Sequence, residues 1–309
     1  MLKNSFKDKN LIIIASQPRS GSTYLQNLLS NNSQTNTVSE PWIMLALAPL
    51  FKEKLVVKAT YDHRLAMDAF RNYQQKVDVN FYDEVKSLAI KMYEPLFDDY
   101  DFVIDKTPRY WEILDSLATI FPESKIIVLK RNPLDVVESM IQTWNITTIE
   151  GLNYFRNDIL NAPKQIDMFI EKNHNNQNVI PLFYDDLINN KKETIESIYK
   201  RLGINFTNQV FDTSSNMKFK GKYGDPYQNK TKKEIKPLDN LFLDFINGYA
   251  NYLGKDYLIN NDFNYTAIKP TLAFKYFLNL GFHRNTVDEK SMKRELSLNL
   301  KKFVLKYFK

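Results

Sequence analysis

The chain has 309 residues, of which 43% are hydrophobic, 14% aromatic and 25% charged, enough for one large α/β domain with additions, or two small domains, and for a sizeable core. It has no cysteine and only three histidines, His63, His174 and His283, none at i,i+4 spacing, which excludes a disulfide framework, a thiolate nucleophile and a Cys-based zinc site and argues against a histidine-rich metal centre. The net charge of +6 sits in the tail: residues 290–309 carry seven basic side chains and one acid, and the rest balances at 42 − 7 = 35 basic against 36 − 1 = 35 acidic, so the body is a poor general binder of nucleic acid and any anion site in it must be local.

No stretch approaches the roughly 20 apolar residues of a membrane span. The first apolar run, Leu11–Ala15, is too short for a signal-peptide core, so a cytoplasmic protein is expected. That run, Leu-Ile-Ile-Ile-Ala, suits a strand buried on both faces of a parallel sheet. A turn, Ser16-Gln17-Pro18-Arg19-Ser20-Gly21-Ser22, follows it, and then Thr23 to Ser30 reads as a helix with Leu25, Leu28 and Leu29 on one face. Pro41 to Asp101 is helical in pattern and rich in aromatics, a natural acceptor-binding insertion. Further strands are predicted at Phe102–Ile104, Lys125–Leu129 and Val179–Phe183, with helices starting near Leu134 and spanning Lys191–Leu202 up to Gly203. Strands alternating with helices predict an α/β fold with a central parallel sheet flanked by helices. Ligands bind outside the carboxyl ends of such strands. Residues 217–236 are polar and lysine-rich, with Gly221, Gly224 and Pro226, and read as a long loop. The expected organisation is one domain over residues 1–260, with the helical insertion at about 41–101, and a C-terminal helical extension over 261–309.

The strongest chemical signal is the strand–Pro18-Arg19-Ser20-Gly21-Ser22-Thr23–helix unit. Gly21 lets the backbone approach a ligand closely. The first amides of the helix lack intrahelical partners and attract an anion. Ser20, Ser22 and Thr23 add hydroxyls and Arg19 a fixed positive charge. An ordinary βα turn capped by a serine or threonine would look the same locally. The unit is no Walker A loop, which ends Gly-Lys-[Ser/Thr], whereas here Ser22 follows Gly21 and the basic residue stands at the front of the turn.

With its basic residue at the front, the turn resembles the 5′-phosphosulfate loop of sulfotransferases that use 3′-phosphoadenosine 5′-phosphosulfate (PAPS). The resemblance continues downstream. Arg131-Asn132-Pro133-Leu134-Asp135-Val136-Val137-Glu138-Ser139 looks like the family's 3′-phosphate motif, in which Arg131 at a strand end and Ser139 two turns into the next helix converge on one phosphate. An Arg131–Asp135 pair on a surface turn is the plain alternative. Tyr24 stands where related enzymes pack an aromatic near adenine. Tyr184-Asp185-Asp186-Leu187 resembles the Tyr-Glu-Asp-Leu segment whose tyrosine lies beside that base. Lys220-Gly221-Lys222 resembles a late loop closing on the 3′-phosphate. What the resemblance implies is a P-loop-like α/β fold, PAPS as sulfuryl donor, adenosine 3′,5′-bisphosphate (PAP) as product, and no metal.

Two candidates for the chemistry rest on the same resemblance. Glu40, in Ser39-Glu40-Pro41-Trp42, stands 21 residues after Arg19, like the glutamate of tyrosylprotein and heparan sulfate sulfotransferases. It is the candidate base, partly desolvated by Pro41 and Trp42. A carboxylate at a helix start is its plain reading. Lys106, in Asp105-Lys106-Thr107-Pro108-Arg109-Tyr110-Trp111, resembles the catalytic lysine of the heparan sulfate enzymes and is the candidate cation for the bridging oxygen. Its plain reading is an ion pair with Asp105. Trp42, His63 and Arg109 are candidates for holding the acceptor, with His63 a second candidate base. The histidine base of animal cytosolic sulfotransferases has no counterpart, because no histidine stands between His63 and Arg131.

A small-molecule natural product is the first expectation for the acceptor, through a hydroxyl or an amine; a carbohydrate or a protein tyrosine is the second. The competing readings are a P-loop nucleotide kinase and a catalytically silent nucleotide-binding module. In the tail, Met292, Leu296, Leu300, Phe303 and Tyr307 recur at helical spacing between lysines. Such a face can pack on the domain, touch an anionic membrane surface weakly, or join two copies in a homodimer.

Overall fold

Five strands build one parallel sheet in the order β2-β3-β1-β4-β5: β1 Leu11–Ser16, β2 Thr35–Ser39, β3 Phe102–Lys106, β4 Lys125–Lys130 and β5 Val179–Phe183. The structure, a computed structural model, describes residues 5–52, 62–77, 79–212, 238 and 240–263. The central strand β1 is buried along its whole length and β4 along all but its ends, which is why both read as unbroken apolar runs. Sequence reading missed β2. Its Thr-Asn-Thr-Val-Ser carries the β-branched residues of a strand, but as an edge strand paired only with β3 it lacks the apolar run that marks the interior of the sheet.

The helices are α1 Ser22–Ser30, α2 Ile43–Leu47, α3 His63–Gln74, α4 Phe81–Tyr93, α5 Leu114–Ile120, α6 Pro133–Thr143, α7 Arg156–Leu160, α8 Ala162–Lys172, α9 Tyr184–Asn189, α10 Lys191–Leu202, α11 Asn240–Leu253 and α12 Lys255–Asn260. Short 3-10 turns occur between several of them, among them Pro108–Ile113 directly after β3. α6 starts at Pro133, one residue before the expected Leu134, with Asn132 as its N-cap accepting from the Leu134 amide. A proline at the first helical position loses no intrahelical bond. α10 ends at Gly203 in the left-handed region, as its glycine predicts.

The chain divides into two units, Met1–Arg131 with Asp158–Thr231, and Asn132–Asn157 with Lys232–Lys309. The first unit holds the whole sheet and two apolar layers on it. One layer joins Leu11, Ile13, Val103 and Val128 to Tyr93, Tyr110, Trp111 and Phe121. The other joins Ile12, Ile14, Ile104 and Ile127 to Leu25, Leu28, Leu29 and Tyr199. Alternate residues of β1 serve opposite layers, as the pleat requires, and each fully buried aliphatic side chain contributes about 1.5–3 kcal/mol. In the second unit α11 packs on α6, burying Phe242, Phe245 and Tyr249 and also Val136, Val137 and Met140, and Trp144 stacks on Phe155 with ring centroids 4.1 Å apart.

Register positions the chemistry. Ile14 and Ser39 both lie opposite Lys106 across their ladders. The turn after β1, the residue after β2 and the last residue of β3 therefore emerge side by side at one end of the sheet.

Candidate active site

The turn after β1 departs from ordinary backbone twice. Arg19 has φ 73° and Gly21 φ 93°, both left-handed, which a glycine adopts freely and an arginine does not. At Gly21 the lack of a side chain is required twice over, because an added Cβ would lie 2.5 and 2.6 Å from ring carbons of Tyr184. Tyr184, the first residue of α9 after β5, packs directly on the turn. Arg131, just past β4, stacks its guanidinium over the Tyr184 ring, 4.5 Å from the centroid, and donates from Nη1 to the Arg19 carbonyl at 3.2 Å. The two strand-to-helix turns predicted to hold the two ends of one nucleotide thus meet at Arg19, Arg131 and Tyr184.

On the other side of the turn stands Lys106. Its side chain is 1% exposed, and its Nζ donates to Glu40 Oε1 at 2.7 Å and to Thr23 Oγ1 at 3.3 Å. The expected alternative, a pair with Asp105, is not how β3 is wired. Adjacent strand residues face opposite sides, and Asp105 accepts instead from Tyr93, Tyr110 and Thr107 hydroxyls at 2.5, 2.7 and 2.9 Å. Burial pulls the Lys106 ammonium pKa below the usual lysine range; the Glu40 carboxylate, and Asp105 after it, oppose that shift, and Arg19 adds to it.

Glu40 follows β2 with φ 28°, and Trp42 two residues later has φ 54°. Non-glycine residues in this region each cost about 1–3 kcal/mol and persist where the surroundings hold them. Here the Glu40 carboxylate is held at both oxygens, Oε1 by Lys106 and Oε2 by the Trp42 indole N–H at 3.4 Å. Trp42 is 39% exposed, and the Arg109 guanidinium lies 5.7 Å from its ring centroid. Arg109 donates from Nε and Nη2 to Asp158 Oδ2 at 3.1 and 2.8 Å.

Of the residues singled out in sequence, the structure gathers Arg19, Ser20, Gly21, Ser22, Thr23, Glu40, Trp42, Lys106, Arg109, Arg131 and Tyr184 at this end of the sheet. Tyr24 lies on α1 beneath the Lys191 ammonium, 5.5 Å from its ring centroid, and packs against the second apolar layer. His63 opens α3 and is partly buried. Ser139 is buried on α6, in the second unit. Lys220, Gly221 and Lys222 lie outside the described residues, as does the C-terminal basic stretch. Sequence reading missed Asp158 and Lys191. Neither sits in a motif, and each reaches its partners only through the fold.

An anionic nucleotide fits these residues on observations of the structure itself. Ser20 Oγ and Arg131 Nε are buried without a hydrogen-bond partner, and buried polar groups seldom stay so unless a ligand or water completes them. At the same turn α1 starts after Gly21 as its N-cap, with no side-chain cap on its first amides. Among the described residues no cluster of three or more His, Cys, Asp or Glu is placed to hold a metal ion, and no helix is long and apolar enough to cross a membrane.

A parallel sheet with a basic-fronted turn after its first strand, a lysine–glutamate pair beside it and an arginine from the fourth strand reaching the same turn makes an α/β fold with a polar, charged site at the carboxyl ends of its strands. The sulfotransferase family model matches residues 11–208, and the chain belongs to that family. It is 31% identical over 140 residues, 42% of the chain and 30% of the relative, to the nodulation protein NoeE of Sinorhizobium fredii. It is 24% identical over 211 residues, 66% of the chain and 54% of the relative, to protein-tyrosine sulfotransferase 2 of Gallus gallus. The matched stretches thus span from under a third to about half the length of these relatives. Among solved structures, the sulfotransferase domain from the curacin biosynthetic pathway superposes with a TM-score of 0.51 at 16% identity, covering 83% of this chain and 98% of that one; this likeness is one of fold. The expected P-loop-like α/β architecture is thereby borne out.

Proposed function

We infer that the protein transfers a sulfuryl group from PAPS to a hydroxyl or amine of a small-molecule acceptor, with Glu40 as base and Lys106 as the cation at the leaving group. The observation that carries this reading is the junction of Lys106 with Glu40 and Thr23, on the same turn whose Arg19 carbonyl receives Arg131. A kinase reading would need a lysine within the turn, and none is there.

When bound, PAPS supplies the sulfuryl group and a phosphate leaving group. Arg19, Ser20, Gly21, Ser22 and Thr23 are the residues to hold its 5′ end; Arg131, with Ser139 and the Lys220-Gly221-Lys222 segment, is proposed for the 3′-phosphate; Tyr184 and Tyr24 are proposed for the base. Glu40, whose carboxylate is fixed by Lys106 and Trp42, takes the proton from the acceptor as it attacks. Lys106 Nζ, buried at the junction, provides positive charge where negative charge grows, and a fixed cation out of water is worth far more than one in solvent. Trp42 and Arg109 form the wall on the acceptor side of Glu40. A natural-product acceptor is the first choice, with a carbohydrate or protein tyrosine the alternative, and a cytoplasmic location accords with use of PAPS.

The test is transfer of sulfur-35 from labelled PAPS into a metabolite extract, with mass spectrometry of the labelled product. Label appearing in an organic sulfate and dependent on the intact protein is the expected result. PAPS that binds but gives no labelled product in any extract overturns the enzymatic reading and leaves a nucleotide-binding module.

A further inference from the structure

We propose that Asp158 is a positioning residue that sets the catalytic carboxylate of Glu40 through Arg109 and Trp42. The inference rests on the reading of Glu40 as base and extends it to a side chain that carries no motif. Asp158 lies on α7, where its residue is 2% exposed. Both ends of it are engaged at the site. Its backbone carbonyl accepts from the Gln17 side-chain amide at 2.9 Å, at the very start of the turn after β1. Its carboxylate accepts from Arg109 on Oδ2 at 3.1 and 2.8 Å and from the Trp111 indole N–H on Oδ1 at 2.9 Å. A carboxylate this deep is costly in its charged form unless it is paired and hydrogen-bonded, and each oxygen here has a donor.

The chain of contacts then runs one way. Arg109, held on two nitrogens, has little freedom to turn, and its flat cation lies over Trp42. Trp42, in a left-handed backbone conformation that needs support from its surroundings, points its N–H at Glu40 Oε2. Glu40 Oε1 meets Lys106. Asp158 thus touches none of the groups proposed to react, yet hydrogen bonds and one cation–π contact link it without a gap to Glu40. A base that drifts by about 1 Å loses on the order of 100-fold in rate, so a group that fixes its neighbours acts on turnover rather than on cofactor affinity.

The decisive variant is Asp158→Asn. The amide oxygen can still accept from Trp111, and the backbone bond to Gln17 is untouched, but the negative charge facing Arg109 is gone and an amide NH2, a donor, stands where Arg109 had its acceptor. Trp42 is one of three tryptophans, so its own emission is obtained by subtracting the matching Trp42→Phe protein. The expected result is a Trp42 signal about twofold more open to acrylamide quenching, PAP affinity within about twofold of wild type by calorimetry, and sulfate transfer from PAPS to the metabolite extract slowed roughly 10- to 100-fold. Arg109→Gln should match it on all three readouts, and the double variant should be no worse than Arg109→Gln alone, since residues acting in series do not add. Should Asp158→Asn fail to fold, Arg109→Gln alone decides the link. Unchanged Trp42 quenching and transfer in a folded variant, even with a lower melting temperature, would make Asp158 a fold staple and overturn the proposal. So would losses from Asp158→Asn and Arg109→Gln that add in the double variant. If wild-type protein transfers no sulfate at all, the reading of the reaction fails, while the quenching still decides whether Asp158 positions Trp42.

Discussion

Asp105 and Lys106 are neighbours at the end of β3, both about 1% exposed, yet they sit in opposite kinds of surroundings. Asp105 faces three hydroxyl donors from Tyr93, Tyr110 and Thr107, and Tyr110 in turn accepts from the Met44 amide. Burial pushes the Asp105 carboxyl up, and those hydrogen bonds and Lys106 oppose it; burial also pushes both tyrosines well up, so they remain donors. That side is closed and complete, and it ties β3 to α4 and α2. Lys106 faces a carboxylate, a hydroxyl and a turn with a buried hydroxyl that has no partner. One side of the strand end is finished by the chain itself, whereas the other borders a buried hydroxyl without a partner, Ser20 Oγ, and carries the charge proposed above to serve the reaction.

Substitutions break that contrast in graded ways. The largest effect is expected at Lys106→Met, which keeps most of the stem's volume and removes the cation. Sulfate transfer should fall by about 100- to 1,000-fold, the size seen when one transition-state donor is removed, with the melting temperature little changed; loss of fold with no specific loss of rate would move Lys106 to the structural side.

Next comes Glu40→Gln, expected to cost about 100-fold or more in transfer while leaving PAP bound. It also sharpens the electrostatics. Glu40 raises the Lys106 pKa against the burial that lowers it, so neutralising Glu40 lets that pKa fall further. The cation exists only below its pKa, so PAP affinity should decline with rising pH in both proteins, and at lower pH in the variant. Coincident pH profiles by calorimetry would separate Glu40 from Lys106.

Gly21→Ala places a Cβ against the Tyr184 ring, in a left-handed backbone that alanine disfavours. PAP affinity should drop roughly 10-fold or more by the displacement of Tyr184 and Arg131, on the scale of about 1.4 kcal/mol per factor of ten. Unaltered affinity would detach the turn from the cofactor.

The smallest effect on activity is expected on the closed side. Tyr93→Phe should cost about 1–3 kcal/mol of stability in denaturant unfolding, because the buried Asp105 carboxylate loses one of its three donors, with transfer within about twofold of wild type. Losing the Tyr93 hydrogen bond lets the Asp105 pKa rise further. A carboxyl whose folded pKa is raised is favoured protonated, so the loss should be full above that pKa and shrink as pH falls through it. A large fall in transfer with normal stability would erase the distinction between the two sides.

Much of this was legible in the chain because it is local. Leu-Ile-Ile-Ile-Ala before a basic, hydroxyl-rich turn, and Lys-Ile-Ile-Val-Leu before Arg131, announce buried parallel strands with their polar residues at the carboxyl ends, since strand burial and turn chemistry are written within a few residues. Glu40 and Lys106 could be nominated by resemblance, but not joined. Their 2.7 Å contact exists because β2, a polar edge strand that sequence reading passed over, pairs in register with β3.

The sequence by itself determined the sheet's interior strands and the basic, hydroxyl-rich turn, because hydrophobic periodicity and backbone freedom act at short range, whereas the candidate base and cation came from resemblance to a family. Tertiary structure alone decided which way each buried charge faces: Asp105 into a finished nest of hydroxyls, Lys106 to Glu40, and Asp158 from α7 to Arg109 and the foot of the turn. Burial makes an unpaired charge so costly that its partner must be found wherever the fold brings one, and strand register and helix placement, not spacing along the chain, settle where that is.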